Sequence, residues 1–135
     1  MYDTLRHNKE LALYVTDFQE LSHPPTTSRV SLKSAVGLIS GNGNHCDYFV
    51  GEIRRFVGER RVIEDFYAGQ DVRGNDVRVV FIENGEFPRE VQWSIPPRLM
   101  NLQNWVESSS DLSGSLYMVY ILDVGADPGF DIRCH

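Results

Sequence analysis

Few side chains in this sequence have a type and spacing that chemistry requires. Two cysteines, Cys46 and Cys134, and four histidines, His7, His23, His45 and His135, are spread over 135 residues. No Walker-type phosphate loop, G-x-G-x-x-G, H-E-x-x-H, C-x-x-C or G-x-S-x-G string occurs. Cys46 is the sharpest candidate. It follows Asn44 by two positions, and Asn is a favoured helix N-cap. That reading places Cys46 in a first helical turn, where unpaired backbone N–H groups and the helix dipole favour a thiolate. A thiolate nucleophile needs a histidine beside it, and His23 or His135 fills that role only if the fold carries it there. The competing reading makes Cys46 a small buried hydrophobe. His45 and Cys46 are a poor metal pair, because adjacent residues rarely ligate one tetrahedral ion, so no metal and no cofactor is expected. Two cysteines are too few for a disulfide framework, and a single bridge between them is not readable from spacing.

Two further clusters read as structure. Gly41-Asn42-Gly43-Asn44 has the composition of a tight turn more than of an anion-binding nest. Arg54, Arg55, Arg60 and Arg61 lie close to Glu52, Glu59, Glu64 and Asp65, which reads as a solvated face of mixed charge.

The elements that must position these groups follow from periodicity. Residues 10–21 fit both periods: Leu11, Leu13 and Val15 alternate like a strand, while Leu11, Val15 and Phe18 share a helical face, and the length leans to helix. Val30, Leu32, Val36 and Leu38 predict a half-buried strand over 29–40. Phe49, Ile53, Phe56 and Val57 fall at i, i+4, i+7 and i+8, which predicts a helix from Asn44; Gly58 offers a C′ stop, and continuation with a kink to about Tyr67 is favoured. Residues 77–82 read as a strand, and Asn84-Gly85 as a type I′ turn into a returning strand over 86–95. Pro97 suits the first turn of a helix bearing Leu99, Leu102 and Val106. The apolar run from Leu116 to Leu122 predicts a central strand covered on both faces, and Asp127-Pro128-Gly129 a turn. Together these predict one α+β domain over residues 1–135, with two or three helices packed on a mainly antiparallel sheet.

The string Asn44-His45-Cys46-Asp47-Tyr48-Phe49-Val50-Gly51-Glu52-Ile53-Arg54 resembles the cysteine box of the lecithin:retinol acyltransferase-like (H-box/NC) proteins of the NlpC/P60 superfamily. Ala12-Leu13-Tyr14-Val15 resembles the strand that follows that family's catalytic histidine. The resemblance implies a cysteine-dependent hydrolase or acyltransferase-like domain with Cys46 as nucleophile. Glu10 stands where the family has its histidine, His45 separates Asn44 from Cys46, and Tyr48 replaces the box histidine. The implied domain has therefore lost or rearranged its base.

Composition points elsewhere. The formal net charge of −6 disfavours nucleic acid, which needs surplus Lys and Arg. No stretch of about 20 apolar residues spans a membrane, and the polar first ten residues read as cytoplasmic. The leading expectation is a small acidic interaction module of inhibitor, immunity or adaptor type, binding a protein partner of basic character. Trp93, Trp105 and Tyr67 are of the types enriched at binding hot spots, and Glu64 and Asp65 supply charge. Core packing outweighs that role for each aromatic taken singly.

Overall fold

The computed structural model describes residues 2–39, 43–89, 91, 102–108 and 113–135. Helix α1, Tyr2–Gln19, leads into strand β1, Thr27–Gly37, and β2, Cys46–Phe56. Helix α2, Arg60–Tyr67, and a small β3–β4 hairpin, Asp71–Val72 and Asn75–Asp76, come next. Strand β5, Arg78–Ile82, helix α3, Leu102–Ser108, strand β6, Ser115–Ala126, and a 3-10 turn, Ile132–Cys134, complete the described chain. The main sheet is antiparallel in the order β1-β2-β6-β5. The fold is the expected α+β domain. None of the described helices is long and apolar enough to cross a membrane.

Both faces of the sheet are buried. On the first, Tyr48 and Val50 of β2, Phe81 of β5 and Tyr117, Val119 and Ile121 of β6 pack against Tyr14 and Phe18 of α1 and Ile63 and Tyr67 of α2. On the second, Phe49, Ile53, Ile82, Met118 and Tyr120 pack against Trp105 and Val106 of α3. Each such side chain contributes about 1.5–3 kcal/mol by leaving water. Burial on both sides explains the unbroken apolar run of β6. On α1, His7, Tyr14 and Phe18 are buried, with Leu11 packed beside them. These four positions form one stripe, and the helical reading of residues 10–21 holds.

The helix expected from Asn44 to Tyr67 is instead strand β2, a connector and the short α2. Phe49, Ile53 and Phe56 do have helical spacing, but Phe49 and Ile53 are buried on one face while Phe56 is buried on the other with Cys46, Tyr48 and Val50. A strand sandwiched on both sides loses its alternation and so imitates a helix in sequence. Gly51 supports the strand: a Cβ there would lie 2.6 Å from the Phe49 ring, which stacks on Tyr120 with centroids 5.8 Å apart.

The Asn84-Gly85 turn forms as expected, with φ of 52° and 75° and paired backbone bonds between Glu83 and Glu86 of 2.9 and 3.0 Å. The returning strand does not follow from it in the described residues. Glu86 makes a single bridge, and Arg89 and Val91 are helical. Pro88 has no N–H to extend the ladder, and its carbonyl accepts from Val91 N at 3.1 Å. Trp93, Pro97 and Leu99 lie outside the described residues.

Candidate functional site

The site is assembled from α1, the first residue of β2 and the tail beyond β6. Asp127 opens the tail as an Asx turn, its carboxylate accepting from Gly129 N at 3.1 Å. The Pro128 carbonyl then accepts from Asp131 N at 3.1 Å. Asp131 caps the 3-10 turn, accepting from Arg133 N at 3.1 Å and from the Arg133 guanidinium at 2.9 and 2.7 Å. The tail is tied back along α1: Phe130 N donates to Asp3 at 2.9 Å, and Arg133 donates to Asn8 at 2.8 Å. Leu38 N donates to the Arg133 carbonyl at 2.7 Å, fixing the tail to the end of β1.

At its centre Cys46 and Cys134 form a disulfide, with Cα atoms 4.9 Å apart and both residues fully buried. His7 Nδ1 lies 2.9 Å from Asp131 Oδ2 and 3.3 Å from Cys46 Sγ. His7 Nε2 is 3.0 Å from the Asp127 carbonyl. His7 and Asp131 are both buried. The Arg133 guanidinium, with His7 as a lesser contributor, holds the Asp131 carboxyl well below the usual carboxylate range against the opposing effect of burial. His7 also floors an open cleft of about 280 Å3 that is lined by Arg6, Glu10, Tyr14, Tyr48 and Asp123. Tyr14 donates to Asp123 and stacks on Tyr48 at 4.9 Å. Burial, followed by the bond to Asp123, pushes the Tyr14 hydroxyl up to about 12.

A second buried polar cluster lies on the same face of the sheet. Glu52 accepts from Arg54 at 2.6 Å and from Arg29 at 2.7 Å, and lies 3.4 Å from His23 Nε2. His23 Nδ1 is 2.6 Å from the Tyr67 hydroxyl, which is 2.8 Å from the Tyr117 hydroxyl. A relay in which Tyr117 donates to Tyr67, Tyr67 to Nδ1, and Nε2–H faces Glu52 satisfies every member. Burial, then the nearby Arg54, lowers the His23 pKa, with Glu52 opposing.

The sequence candidates fall out as follows. Cys46 begins a strand, not a helix, so no helix dipole acts on it. Its sulfur is bonded, and the imidazole beside it belongs to His7, not to His23 or His135. His23 serves the Glu52 cluster, and His135 Nε2 bonds the Gly129 carbonyl at 3.0 Å. His45 turns to Asp47 at 2.6 Å. Tyr67 and Trp105 are interior, with Trp105 donating to Ser31 at 2.8 Å, while Glu64 and Asp65 are exposed on α2. Arg54 is not on a solvated face but buried against Glu52; Arg60 and Arg61 pair with Glu83 and Asp65 at 2.7 and 3.8 Å. His7 and Asp131 were missed by the sequence reading. The signal for His7 was present: the stripe of Leu11, Tyr14 and Phe18 reaches it one turn earlier. Nothing in spacing announced Asp131.

Comparisons of the chain with protein-family models, curated proteins and solved structures return no match.

Proposed function

We propose that this protein is a small interaction module of inhibitor, immunity or adaptor type that acts by binding a protein partner. The observation behind the reading is a set of exposed apolar side chains at one end. Phe130 is 90% exposed, Ile132 85%, Tyr2 78% and Leu5 56%. The first two sit on the tail, and the tail is bonded to the first turns of α1 that carry the other two. Large apolar groups gathered on a surface and rimmed by charge mark association sites. The disulfide and the Asp131–Arg133 pairing hold the tail in place, so little ordering entropy opposes binding. The acidic balance, to which the exposed Glu64 and Asp65 contribute, suits electrostatic steering toward a basic partner.

Affinity capture from extracts of the source cells tests this, with a Phe130→Ser/Ile132→Ser chain as the control. A protein held by the native chain and released by the double variant, with retention falling as salt rises, is the expected result. Identical captures by both chains, or salt-insensitive retention, overturn the proposed surface or its charge-driven form respectively.

A further inference from the structure

A structural disulfide is an apolar object that asks for no polar neighbours. Cys46–Cys134 nevertheless has a buried imidazole 3.3 Å from Cys46 Sγ, and that imidazole is paired with the buried Asp131 at 2.9 Å. Burying two such groups beside sulfur is costly, and the pairing of Asp131 with His7 and Arg133 offsets that cost while keeping both groups at the bridge. We infer that His7, Cys46, Asp131 and Cys134 form a redox-gated metal site, which takes one thiophilic divalent cation of the zinc class once the disulfide is reduced.

The geometry carries this. One ligand atom from each of the four residues falls in a group whose members all lie within 4.8 Å of one another, and all four residues are buried. A tetrahedral zinc ion with bonds of about 2.0–2.3 Å spaces its ligands roughly 3.3–3.8 Å apart, so the sulfurs must part, the 2.9 Å His7–Asp131 pair must open, and any pair near the 4.8 Å limit must draw in. The surroundings are those of a ligated site. A metal-bound histidine typically donates its other N–H to a carbonyl or carboxylate, and His7 Nε2 already faces the Asp127 carbonyl at 3.0 Å. Asp131 is oriented by Arg133 through backbone and guanidinium. The charges of the ion and Arg133 balance two thiolates and one carboxylate.

The step balances. A dithiol, leaving as its own disulfide, or a phosphine, leaving as its oxide with oxygen from water, delivers two electrons; the Sγ–Sγ bond breaks and two protons give two thiols. The ion then displaces both thiol protons and the proton that His7 Nδ1 directs at Asp131, and all three pass to solvent. In an oxidising compartment the bridge persists, and in a reducing one the ion replaces it as the clamp on the tail.

The full chain, reduced with a phosphine under argon, is titrated with Co(II) and then Zn(II), with visible absorption and far-ultraviolet circular dichroism followed together. Uptake of one ion per chain is expected, with tetrahedral ligand-field bands and thiolate charge-transfer absorption, and none in the oxidised chain. Cys134→Ser should weaken the charge-transfer band, and His7→Ala should lower affinity at least about tenfold. Should His7→Ala fail to fold, Asp131→Asn, with nearly the same shape, carries the test. A folded reduced chain that binds no ion overturns the inference, as does uptake indifferent to these substitutions. A reduced chain that unfolds and is not refolded by Zn(II) overturns it too.

Discussion

Two histidines on one face of the sheet each sit against a buried carboxylate with an arginine beside it, yet the two clusters are built in opposite ways. The charged part of the His23 cluster is made by the sheet ladder, with His23 reaching it from the loop after α1 and Tyr67 from α2. Glu52 and Arg54 are two residues apart on β2 and so share a face, and Arg29 is the cross-strand partner of Arg54. The His7 cluster joins the start of α1, the first residue of β2 and the tail, which leaves the ladder at Ala126 opposite Cys46 and folds back over it. The first is closed upon itself, with its charges shared among neighbours. The second converges on two sulfurs and depends on a covalent bond that chemistry can remove. Where a polar cluster is held by the strands it serves the strands; where it is held by remote ends, its state is open to control.

Three experiments break or sharpen that contrast. Reduction of Cys46–Cys134, or its replacement by serines, should act most strongly. The bridge closes a loop of 88 residues in sequence, and loop entropy assigns it roughly 4–5 kcal/mol. Denaturant unfolding of oxidised and reduced chains measures this, and a difference below about 1 kcal/mol means that the tail is held mainly by its hydrogen bonds.

Glu52→Ala comes next. It strips the carboxylate from buried Arg54 and from His23, and breaking a buried pair in this way costs about 3 kcal/mol. The midpoint in urea reads the loss. A neutral result would mean that Arg54 finds water on its side of the sheet, and the cluster would then not be closed.

Acid titration separates the clusters with smaller effects, since one proton changes stability by at most about 1.4 kcal/mol per pH unit. The folded His23 pKa is depressed, so the unfolded chain binds the extra proton first. Stability should therefore fall as pH drops through the ordinary value of 6.5. Asp131 is also depressed, but as an acid. Its contribution is present above the ordinary value of 3.8 and lost as pH falls below it. Unfolding free energies of the native chain and His23→Gln across both windows check the assignment. If the upper step survives in His23→Gln, His23 is not its source.

Much of the frame was legible because burial leaves a period in the sequence. The apolar run of β6, the turn at Asn84-Gly85 and the stripe Leu11, Tyr14, Phe18 each report one local rule. β2 was misread for an equally local reason: its two faces are both covered, and its larger side chains happen to recur at helical spacing. The candidate site was less legible. Cys46 stood out by type, but its neighbours His7 and Asp131 lie 39 and 124 positions from the groups they face.

The amino-acid sequence by itself determined the α+β class, the acidic balance and three of the four strands of the main sheet, because these depend on composition and on contacts between near neighbours. Only the tertiary structure decided that Cys46 meets Cys134 and that His7 rather than His23 stands beside it. Those outcomes depend on which ends of the chain the packed sheet brings together, and no local spacing encodes a meeting of ends.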